Sequence, residues 1–395
     1  MKVIGLISGT STDGIDSALV EIAGRGLESR LRLLRFATYP YPRALRARLV
    51  RLTHDGRVED LSRLNVHVGE LFAKAAIRIA REAGIPLNEI DLIGSHGQTI
   101  CHQPVPFKVS GAKIRSTLQI GEPSIIAERT GVTTVADFRH RDMAAGGEGA
   151  PLTPYLHYIL FHHAQRPRLI VNIGGISNLT YLPSQGGLSD IVAFDAGPGN
   201  MLMDGIIQHR TNGHRTMDGD GALARRGKVH EKLISELLRH PFLSRKPPKT
   251  TGREAFGRAM IRWLIGRANG LKLNHQDLMA TATAFTARSI AQAYKRFILP
   301  SGGVEEVIVG GGGTRNSTLM QFLQQAFGPV PVFTFEKFDL DSRALEAMAF
   351  ALFAYGAIQG EPNNVPSATG ARRAVVMGKI VPGRLTFPLF PDTRP

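Results

Sequence analysis

Short apolar runs alternate along this chain with longer stretches in which apolar residues recur at helical spacing. Such alternation is typical of α/β proteins rather than of chains that segregate helices from strands. The first half is predicted to open with a three-strand meander, followed by a long amphipathic helix at residues 61–83. The predicted strands of this half are residues 2–7, 15–22, 31–38, 91–95, 117–120 and 132–136.

The second half begins in a similar way, with predicted strands at residues 169–173, 176–182 and 191–194. The segments KVIGLISGTSTDGIDSALVEI and RLIVNIGGISNLTYLP look like two versions of one strand, small-residue turn, strand unit. Two unrelated hairpins would also give this weak identity, but the spacing favours an internal duplication and two related domains with a cleft between them. Domain I is expected to span residues 1–135, with 360–395 returning to it, and domain II residues 136–359.

Composition excludes a disordered or fibrous chain, since 43% of the 395 residues are hydrophobic and 21% charged. The 48 Lys and Arg against 33 Asp and Glu give a net charge of +15, which leaves open a nucleic acid, a membrane surface or a phosphorylated small molecule as partner. The basic residues are spread along the chain without interleaved aromatic residues, which argues against nucleic acid. A single cysteine, Cys101, excludes an intramolecular disulfide and fits a reducing compartment.

The chain is expected to stay in the cytoplasm. Its N-terminus has too short an apolar run for a secretory signal, and the most apolar stretch, residues 347–358, is shorter than the roughly 18 residues that span a bilayer. That stretch is predicted to be a buried helix.

The first candidate for chemistry is the turn Ser8-Gly9-Thr10-Ser11-Thr12-Asp13-Gly14, between two predicted strands. Small residues let backbone N–H groups approach a phosphate, although Asp-Gly is also a common hairpin turn. The chain has no Gly-Lys-Ser/Thr, so a P-loop nucleotide hydrolase is excluded.

Two further turns follow predicted strands. Asp195 begins a Gly/Pro turn at the end of one of them, where α/β sheets gather ligands, although capping the next helix is the ordinary role of such an Asp. Residues 310–313 are four glycines between a strand and a helix, a pattern that suits a flat group such as adenine and is also an ordinary connection.

Seven segments in order resemble the signature set of the anhydro-N-acetylmuramic acid kinases, over nearly the whole chain. They are GLISGTSTDGID, GSHGQTICHQP, LQIGEPSIIAERTGVTTVADFRHRDMAAGGEGAPL, NIGGISNLT, FDAGPGN, GGGTRN and PSATGARRAVVMGKI. The resemblance implies membership of the superfamily of sugar kinases, heat-shock chaperone ATPases and actin, whose two ribonuclease-H-like domains close over ATP.

The resemblance also implies a reaction and its residues. ATP, water and 1,6-anhydro-N-acetylmuramic acid would give N-acetylmuramic acid 6-phosphate and ADP, in the recycling of cell-wall peptidoglycan. Asp195 would be the general base on the attacking water. ATP would contact the phosphate loop and a glycine turn, namely Gly9, Thr10, Ser11, Thr12, Asp13, Gly14, Ile15, Asp16, Gly311, Gly312 and Gly313.

The sugar is expected at polar segments that carry His96, Gln98, Arg139 and Glu346, of which the Arg would pair with the lactyl carboxylate of the sugar. Satisfying buried backbone groups is the plainer role for His96 and Arg139. Mg²⁺ needs few protein ligands, and Asp13, Asp16 and Glu346 are candidates to hold it through water, with surface solvation as the plain alternative. Glu148 stands where the resemblance leads us to expect Gln in many relatives, which puts the hydrogen bonding of that position in doubt.

Other functions stay open on the sequence. A kinase of the same superfamily that acts on another anhydro sugar is the main alternative, because a fold does not fix a substrate. An actin-like scaffold would keep the phosphate loop but would not need the sugar segments. A small-molecule sugar is the expected partner, without nucleic acid or membrane; a homodimer is compatible with the sequence, which does not determine the oligomeric state.

Overall fold

The computed structural model describes residues 1–9 and 12–384, so Thr10 and Ser11 of the predicted phosphate loop lie outside the described residues. The chain forms two compact units. Domain I runs to Leu160 and resumes from Ala344, and domain II is Phe161–Arg343. These boundaries differ from the expected ones at 135/136 and 359/360, because the chain after the sixth strand and the long helix after Ala344 both pack within domain I.

Twelve strands are described: β1 (Lys2–Ser8), β2 (Gly14–Ala23), β3 (Arg30–Pro40), β4 (Leu92–Val109), β5 (Ala112–Ile120), β6 (Thr134–Ala136), β7 (Arg168–Ile173), β8 (Ile176–Leu182), β9 (Val192–Pro198), β10 (Glu306–Gly310), β11 (Val332–Thr334) and β12 (Lys379–Val381). The α-helices of the described residues are α1 (Arg43–Asp55), α2 (Val58–Glu82), α3 (Pro123–Thr130), α4 (Phe138–Ala144), α5 (Pro154–Phe161), α6 (Asn200–Arg210), α7 (Ala222–Arg225), α8 (Glu231–Leu237), α9 (Pro241–Ser244), α10 (Arg253–Phe256), α11 (Arg258–Gly270), α12 (His275–Phe297), α13 (Ser317–Phe327), α14 (Leu345–Gln359) and α15 (Pro366–Thr369).

The sheet of domain I has the order β12-β6-β4-β1-β2-β3, with β5 paired to β4. Strands β1, β4 and β6 are parallel, whereas β1, β2 and β3 form an antiparallel meander. Helices cover both faces, so the central strand β1 reads as an almost continuous apolar run rather than as an alternating one. The carboxyl ends of β1, β4 and β6 therefore meet at one edge of the sheet.

Helix α14 packs directly on this sheet and explains why the domain resumes at its start. The helix is apolar all round and almost entirely buried, as the sequence predicts. A Cβ atom on Gly5 of β1 would lie 1.8 Å from the carbonyl oxygen of Ala347, and one on Gly94 of β4 would lie 2.0 Å from that of Phe350. Only glycine at these two strand positions lets the helix backbone approach so closely.

The sheet of domain II has the order β11-β10-β7-β8-β9, in which β7, β10 and β11 are parallel and β7, β8 and β9 form an antiparallel meander. This order and these directions match β6-β4-β1-β2-β3 of domain I. This match agrees with the internal duplication that was predicted from the similar hairpins at the start of each half of the chain. Each domain is ribonuclease-H-like, and the protein has the predicted α/β fold class.

The sequence did not predict the full length of some strands, and it did not predict others at all. Strands β4 and β5 continue past the buried segments 91–95 and 117–120 into a long hairpin, most of which is exposed. Pro104 and Pro106 lie where the register of this hairpin shifts, at positions that lack an N–H for the ladder. The short edge strands β11 and β12 also have no alternating pattern that would predict them.

Candidate active site

Side-chain hydrogen bonds hold the described ends of the loop between β1 and β2. Ser8 Oγ donates to the carbonyl oxygen of Gly14 at 2.7 Å and lies 2.7 Å from Gln98 Oε1, and Gln98 Nε2 donates to the carbonyl oxygen of Gly9 at 3.1 Å. Thr12 is buried and has a φ of 55°, an unusual value for a β-branched residue. The described ends of the loop are thus fixed by the neighbouring strand β4.

The residues after the loop belong to β2. Gly14 and Ile15 are buried at the start of the strand, and Asp16 Oδ1 accepts a hydrogen bond from Thr38 Oγ1 of β3 at 2.6 Å. The Asp16 carboxylate is therefore oriented by the adjacent strand.

A hydrogen-bonded Arg and His pair joins α4, the helix after β6, to the buried first part of β4. Arg139 Nε donates to His96 Nε2 at 2.9 Å, and Arg139 Nη1 donates to the carbonyl oxygen of Gly149 at 2.6 Å. His96 Nδ1 lies 3.0 Å from the carbonyl oxygen of Gly97, an arrangement that suits a neutral ring with its proton on Nδ1. Burial and the Arg139 charge lower the pKa of His96, while burial lowers the pKa of Arg139 to about 10 and leaves it charged near neutral pH.

Asp142 holds the loop that bears Gly149. Its Oδ2 accepts from the Gly149 N–H at 2.9 Å, and its Oδ1 accepts from Asn364 Nδ2 at 2.7 Å and Thr369 Oγ1 at 2.8 Å. Glu148 in the same loop donates its backbone N–H to the carbonyl oxygen of Thr369, and burial raises the pKa of its carboxyl. The loop that supports Arg139 is thus tied to the segment after α14.

Glu346 lies in the first turn of α14, and its side chain is accessible to solvent. Its pKa is raised, first because surrounding protein displaces water and second because the Asp16 carboxylate is near, while Arg139 acts in the opposite direction. Domain I therefore brings together Asp16, Glu346 and Arg139, three charged residues from distant parts of the sequence.

Gln98 and His96 are both predicted to contact the substrate. In the structure, their polar side-chain atoms make the hydrogen bonds to other protein groups that are described above. Gln98 is 1% exposed and His96 4% exposed. We therefore assign Gln98 to holding the loop after β1 and His96 to holding Arg139. Their contact with a substrate stays a prediction.

Asp195 lies in the middle of β9 in domain II, opposite Asn178 of β8, rather than at the end of the strand as the sequence predicted, because β9 continues to Pro198. Its Oδ2 accepts from the backbone N–H of Thr251 at 2.8 Å, and its own N–H donates to the carbonyl oxygen of Lys249 at 3.1 Å. Burial raises the pKa of Asp195 to about 6, against the lowering effects of the Thr251 N–H and the Lys249 charge. Such a carboxylate is ionised near neutral pH and is a stronger base than an exposed one.

The turn after Asp195 is fixed by backbone contacts. The N–H groups of Gly199 and Asn200 donate to the carbonyl oxygens of Gly175 and Gly174 at 2.9 and 2.7 Å, and Thr286 Oγ1 of α12 donates to the carbonyl oxygen of Gly199 at 3.1 Å. The Gly174-Gly175 turn predicted from the internal repeat thus supports the Asp195 turn.

The third predicted turn, Gly311 to Gly313, joins β10 to α13. Gly311 has a φ of +84°, and a Cβ on Gly313 would lie 2.5 Å from Ile173 Cγ2. Asn316 caps α13 by accepting from the Leu319 N–H at 2.9 Å. The turn lies at the same sheet edge as the Gly174-Gly175 turn, because β7 and β10 are parallel.

Sequence analysis missed the residues that hold Asp195. Thr251 and Lys249 follow two prolines, and no periodicity or motif in that segment indicates a contact with β9. The sequence-predicted residues form two groups, one in each domain. Among residues 1–9 and 12–384, no helix is long and apolar enough to cross a membrane, and no three His, Cys, Asp or Glu side chains cluster as metal ligands.

Comparison with known proteins assigns the family. The family model for anhydro-N-acetylmuramic acid kinase matches residues 1–383. The chain is 50% identical over 380 residues to an anhydro-N-acetylmuramic acid kinase of Caldanaerobacter subterraneus subsp. tengcongensis, with 96% of each chain covered. It is 43% identical over 392 residues to one of Bacillus thuringiensis subsp. konkukian, covering 98% of this chain and 100% of the relative.

Solved structures are more distant. The activator of the 2-hydroxyisocaproyl-CoA dehydratase from Clostridium difficile with bound ADPNP is 12% identical at a TM-score of 0.43, over 90% of this chain and 94% of that chain. A similarity this low supports no function. The family model and the near full-length relatives do, and the chain belongs to the anhydro-N-acetylmuramic acid kinase family.

Proposed function

We propose that the protein converts 1,6-anhydro-N-acetylmuramic acid, ATP and water into N-acetylmuramic acid 6-phosphate and ADP, in peptidoglycan recycling. Membership of the family makes the protein a kinase that uses ATP. The finer assignments, to individual residues, rest on the geometry within each domain.

The observation that carries the proposal is Asp195. It is a largely buried carboxylate of β9 with a pKa of about 6, and the backbone N–H of Thr251 orients it. Phosphoryl transfer to a ready hydroxyl needs chiefly positioning and charge neutralisation. Opening an anhydro bridge with water additionally needs a base, because water is a weak nucleophile.

In the proposed step, Asp195 accepts a proton from the water that attacks the anomeric carbon. A bond forms between the water oxygen and that carbon, and the bond from the carbon to the bridge oxygen breaks. The bridge oxygen then bonds to the γ-phosphorus as ADP leaves. One base thus serves both bond changes.

ATP is proposed to contact the loop Gly9 to Asp16 in domain I and Gly311 to Gly313 in domain II. Two features support this. The loop after β1 lies at the carboxyl edge of a parallel strand, where α/β sheets bind ligands. Gly312 is exposed, and a Cβ added there would meet only Asn200 Nδ2, at 3.5 Å, so the backbone at this position is open to a ligand.

Mg²⁺ fits Asp16 and Glu346. The protein around Glu346 displaces water and raises the pKa of its carboxyl, and the nearby Asp16 carboxylate raises it further, so two carboxyl groups lie near each other and offer the oxygen ligands that Mg²⁺ prefers. Both residues would hold the ion, partly through water. The ion would supply charge neutralisation to the phosphates of ATP.

Arg139 is proposed to pair with the lactyl carboxylate of the sugar. Its Nε and Nη1 are committed to His96 and Gly149, which fix the plane of the guanidinium, and its Nη2 has no hydrogen bond among the described residues. Burial makes the unshielded charge more effective toward an anion.

The experiment is to incubate the protein with ATP, Mg²⁺ and the anhydro sugar and to identify a 6-phosphorylated product by mass spectrometry. Reaction in ¹⁸O-labelled water should place the label on the anomeric carbon. The ring-opened sugar should not be phosphorylated; equal turnover of both sugars would leave an ordinary sugar kinase. Faster turnover of 1,6-anhydro-N-acetylglucosamine would favour the alternative substrate instead.

The remaining assignments are a cytoplasmic location, a homodimer and the absence of a nucleic-acid partner. The net charge of +15 predicts weak binding of duplex DNA that falls steeply with added salt, through counterion release. Salt-resistant, sequence-dependent binding would contradict the last assignment, and light scattering would measure the oligomeric state.

A further inference from the structure

The segment of residues 249–251 runs beside Asp195 and contacts it twice. The carbonyl oxygen of Lys249 accepts from the Asp195 N–H at 3.1 Å, and the Thr251 N–H donates to Asp195 Oδ2 at 2.8 Å. This segment comes from the connection between α9 and α10, more than 50 residues after β9 in sequence. Whatever fixes the segment therefore also fixes the carboxylate.

The side chain of Lys249 extends into the core of domain II and is 3% exposed. Its Nζ lies 4.7 Å from the ring centroid of Phe242, 4.8 Å from that of Phe297 and 5.5 Å from that of Phe194. Nζ is also 3.4 Å from the carbonyl oxygens of Phe242 and Leu243. Three aromatic faces and two carbonyl dipoles thus form a cage around the ammonium group.

A buried ammonium group is costly, and an apolar side chain would fill this cavity without that penalty. Among the described residues, no carboxylate lies within 4.0 Å of Lys249 Nζ, so the charge is not part of an ordinary ion pair. Phe194, one wall of the cage, directly precedes Asp195 in β9. The cage therefore joins the residue that precedes Asp195 in β9 to the segment whose backbone contacts the carboxylate.

We propose that Lys249 is a positioning residue for Asp195: its caged ammonium group anchors residues 249–251, holds the Thr251 N–H against the carboxylate and keeps a positive charge near it. This inference rests on the proposed role of Asp195 as the base. It adds to the reaction a residue that does not touch the reacting atoms.

The charges around Lys249 and Asp195 determine how Lys249 affects the pH dependence of kcat. Burial lowers the pKa of Lys249 to about 8, helped by Arg296 and Arg245 and opposed by Asp195. Lys249 in turn lowers the pKa of Asp195, whereas Glu254 raises it. Below about pH 8 the lysine is charged, and removing that charge raises the pH at which Asp195 loses its proton.

The test compares Lys249→Met with Arg245→Gln in the full chain. Methionine keeps the unbranched stem and suits an aromatic cavity, but it removes the charge and the bonds to the two carbonyls. Arg245 is exposed and faces the same Phe242 ring, so Arg245→Gln removes a nearby positive charge without releasing the segment. Lys249→Met should lower kcat by roughly 10- to 100-fold, the range expected for a misplaced catalytic group.

Three readouts separate positioning from a general loss of structure. In Lys249→Met, the KM for ATP should be unchanged and the acidic limb of the kcat profile should move to higher pH, whereas Arg245→Gln should keep nearly the wild-type kcat. A fall in kcat with an unmoved acidic limb would overturn the proposal, as would wild-type kcat in Lys249→Met.

Phe297→Leu keeps the test decisive if Lys249→Met does not fold. Phe297 is only partly buried at the end of α12, so its truncation should be tolerated. It should lower kcat by a few fold, because the anchor of residues 249–251 is loosened, and it should leave the acidic limb nearly in place, because the lysine charge remains. An unchanged kcat would overturn the proposal. An inactive wild-type protein would instead refute the proposed function, which keeps the two failures distinct.

Discussion

Each domain holds one charged side chain that is proposed to act on the substrate and that a neutral partner orients, Arg139 in domain I and Asp195 in domain II, and the two charges are opposite. In domain I, Arg139 is held by the neutral ring of His96 and by the carbonyl oxygen of Gly149. In domain II, Asp195 is held by the N–H of Thr251. Within residues 1–9 and 12–384, neither group has a directly bonded ion-pair partner, so each charge is available to a ligand or a proton in the proposed reaction.

Burial shifts the pKa values of Arg139 and Asp195, with different consequences for their charge near neutral pH. Burial disfavours the charged form of both, and it lowers the pKa of Arg139 to about 10 and raises that of Asp195 to about 6. Arg139 therefore stays charged over the whole neutral range, as an anion-binding group should. Of these two groups, Asp195 is the one whose pKa lies close to neutral pH, as a base requires. The comparison predicts that domain I determines substrate binding and domain II determines the rate and its pH dependence.

Asp195→Asn should have the largest effect. Asparagine keeps the size and can still accept from the Thr251 N–H, but it cannot take a proton from water. Loss of a general base lowers kcat by roughly 10²- to 10⁴-fold, about 3 to 5 kcal/mol of barrier. Single-turnover formation of the phosphosugar measures it, and ATP should still raise the unfolding temperature of the variant. Near wild-type turnover would remove Asp195 from the mechanism.

Arg139→Ala should raise the KM for the anhydro sugar by roughly 10- to 150-fold, since a charged hydrogen bond contributes about 1.5–3 kcal/mol. The matched probe is 1,6-anhydro-N-acetylglucosamine, which lacks the lactyl carboxylate. Wild type should bind this probe more weakly than the natural sugar, and Arg139→Ala should bind both equally. A variant that still prefers the carboxylate would place its recognition elsewhere.

The pH profile of kcat should fall about tenfold per pH unit below about pH 6, because the base must be deprotonated to act. The fall should be retained in Arg139→Ala, whose mutation lies in the other domain. An acidic limb that moves in Arg139→Ala would show that the two charges are coupled, and the proposed division between the domains would then be wrong.

As the pH rises, the contribution of Asp195 to the free energy of unfolding should fall, whereas kcat should rise. The folded-state pKa of Asp195 is raised, so its stabilising contribution is greatest at low pH and is lost as the pH rises toward about 6. At pH 8 the ionised carboxylate destabilises the fold, by about 1–3 kcal/mol at most. Asp195→Asn should therefore unfold at a higher temperature than wild type at pH 8 in scanning calorimetry. A lower temperature would mean that Asp195 is chiefly a structural residue.

Ser8→Ala should have the smallest effect. It removes the hydroxyl that joins Gly14 to Gln98 and should raise the KM for ATP by about 2- to 10-fold, the equivalent of one hydrogen bond. Thr53→Val is the control, since Thr53 Oγ1 makes a comparable bond to a backbone carbonyl within α1. If Ser8→Ala and Thr53→Val have the same KM for ATP, the hydrogen bonds of Ser8 in the loop after β1 do not contribute to ATP binding.

Local pattern was sufficient to predict much of the fold. Buried parallel strands such as β1 and β7 are short, nearly continuous apolar runs, and α14 is apolar on every side, so both kinds of element are visible in the sequence. The repeated hairpin indicated the duplication because each copy starts the same strand order. Asp195 is a candidate from the sequence because a carboxylate beside a glycine turn in a buried apolar segment is a local signal; its role as the base stays a prediction, and the structure places it within β9.

Only the tertiary structure decided which side chains hold these groups in place. His96 and Arg139 are 43 residues apart, and Thr251 is 56 residues from Asp195. Such pairs depend on how elements pack, and packing is not encoded in the periodicity of any one segment. The sequence by itself therefore determined the family and most of the buried strands and helices, and it predicted Asp195 as the base, a role that stays a prediction. The long-range contacts of Lys249, Thr251 and His96 were decided by burial and close packing within each domain.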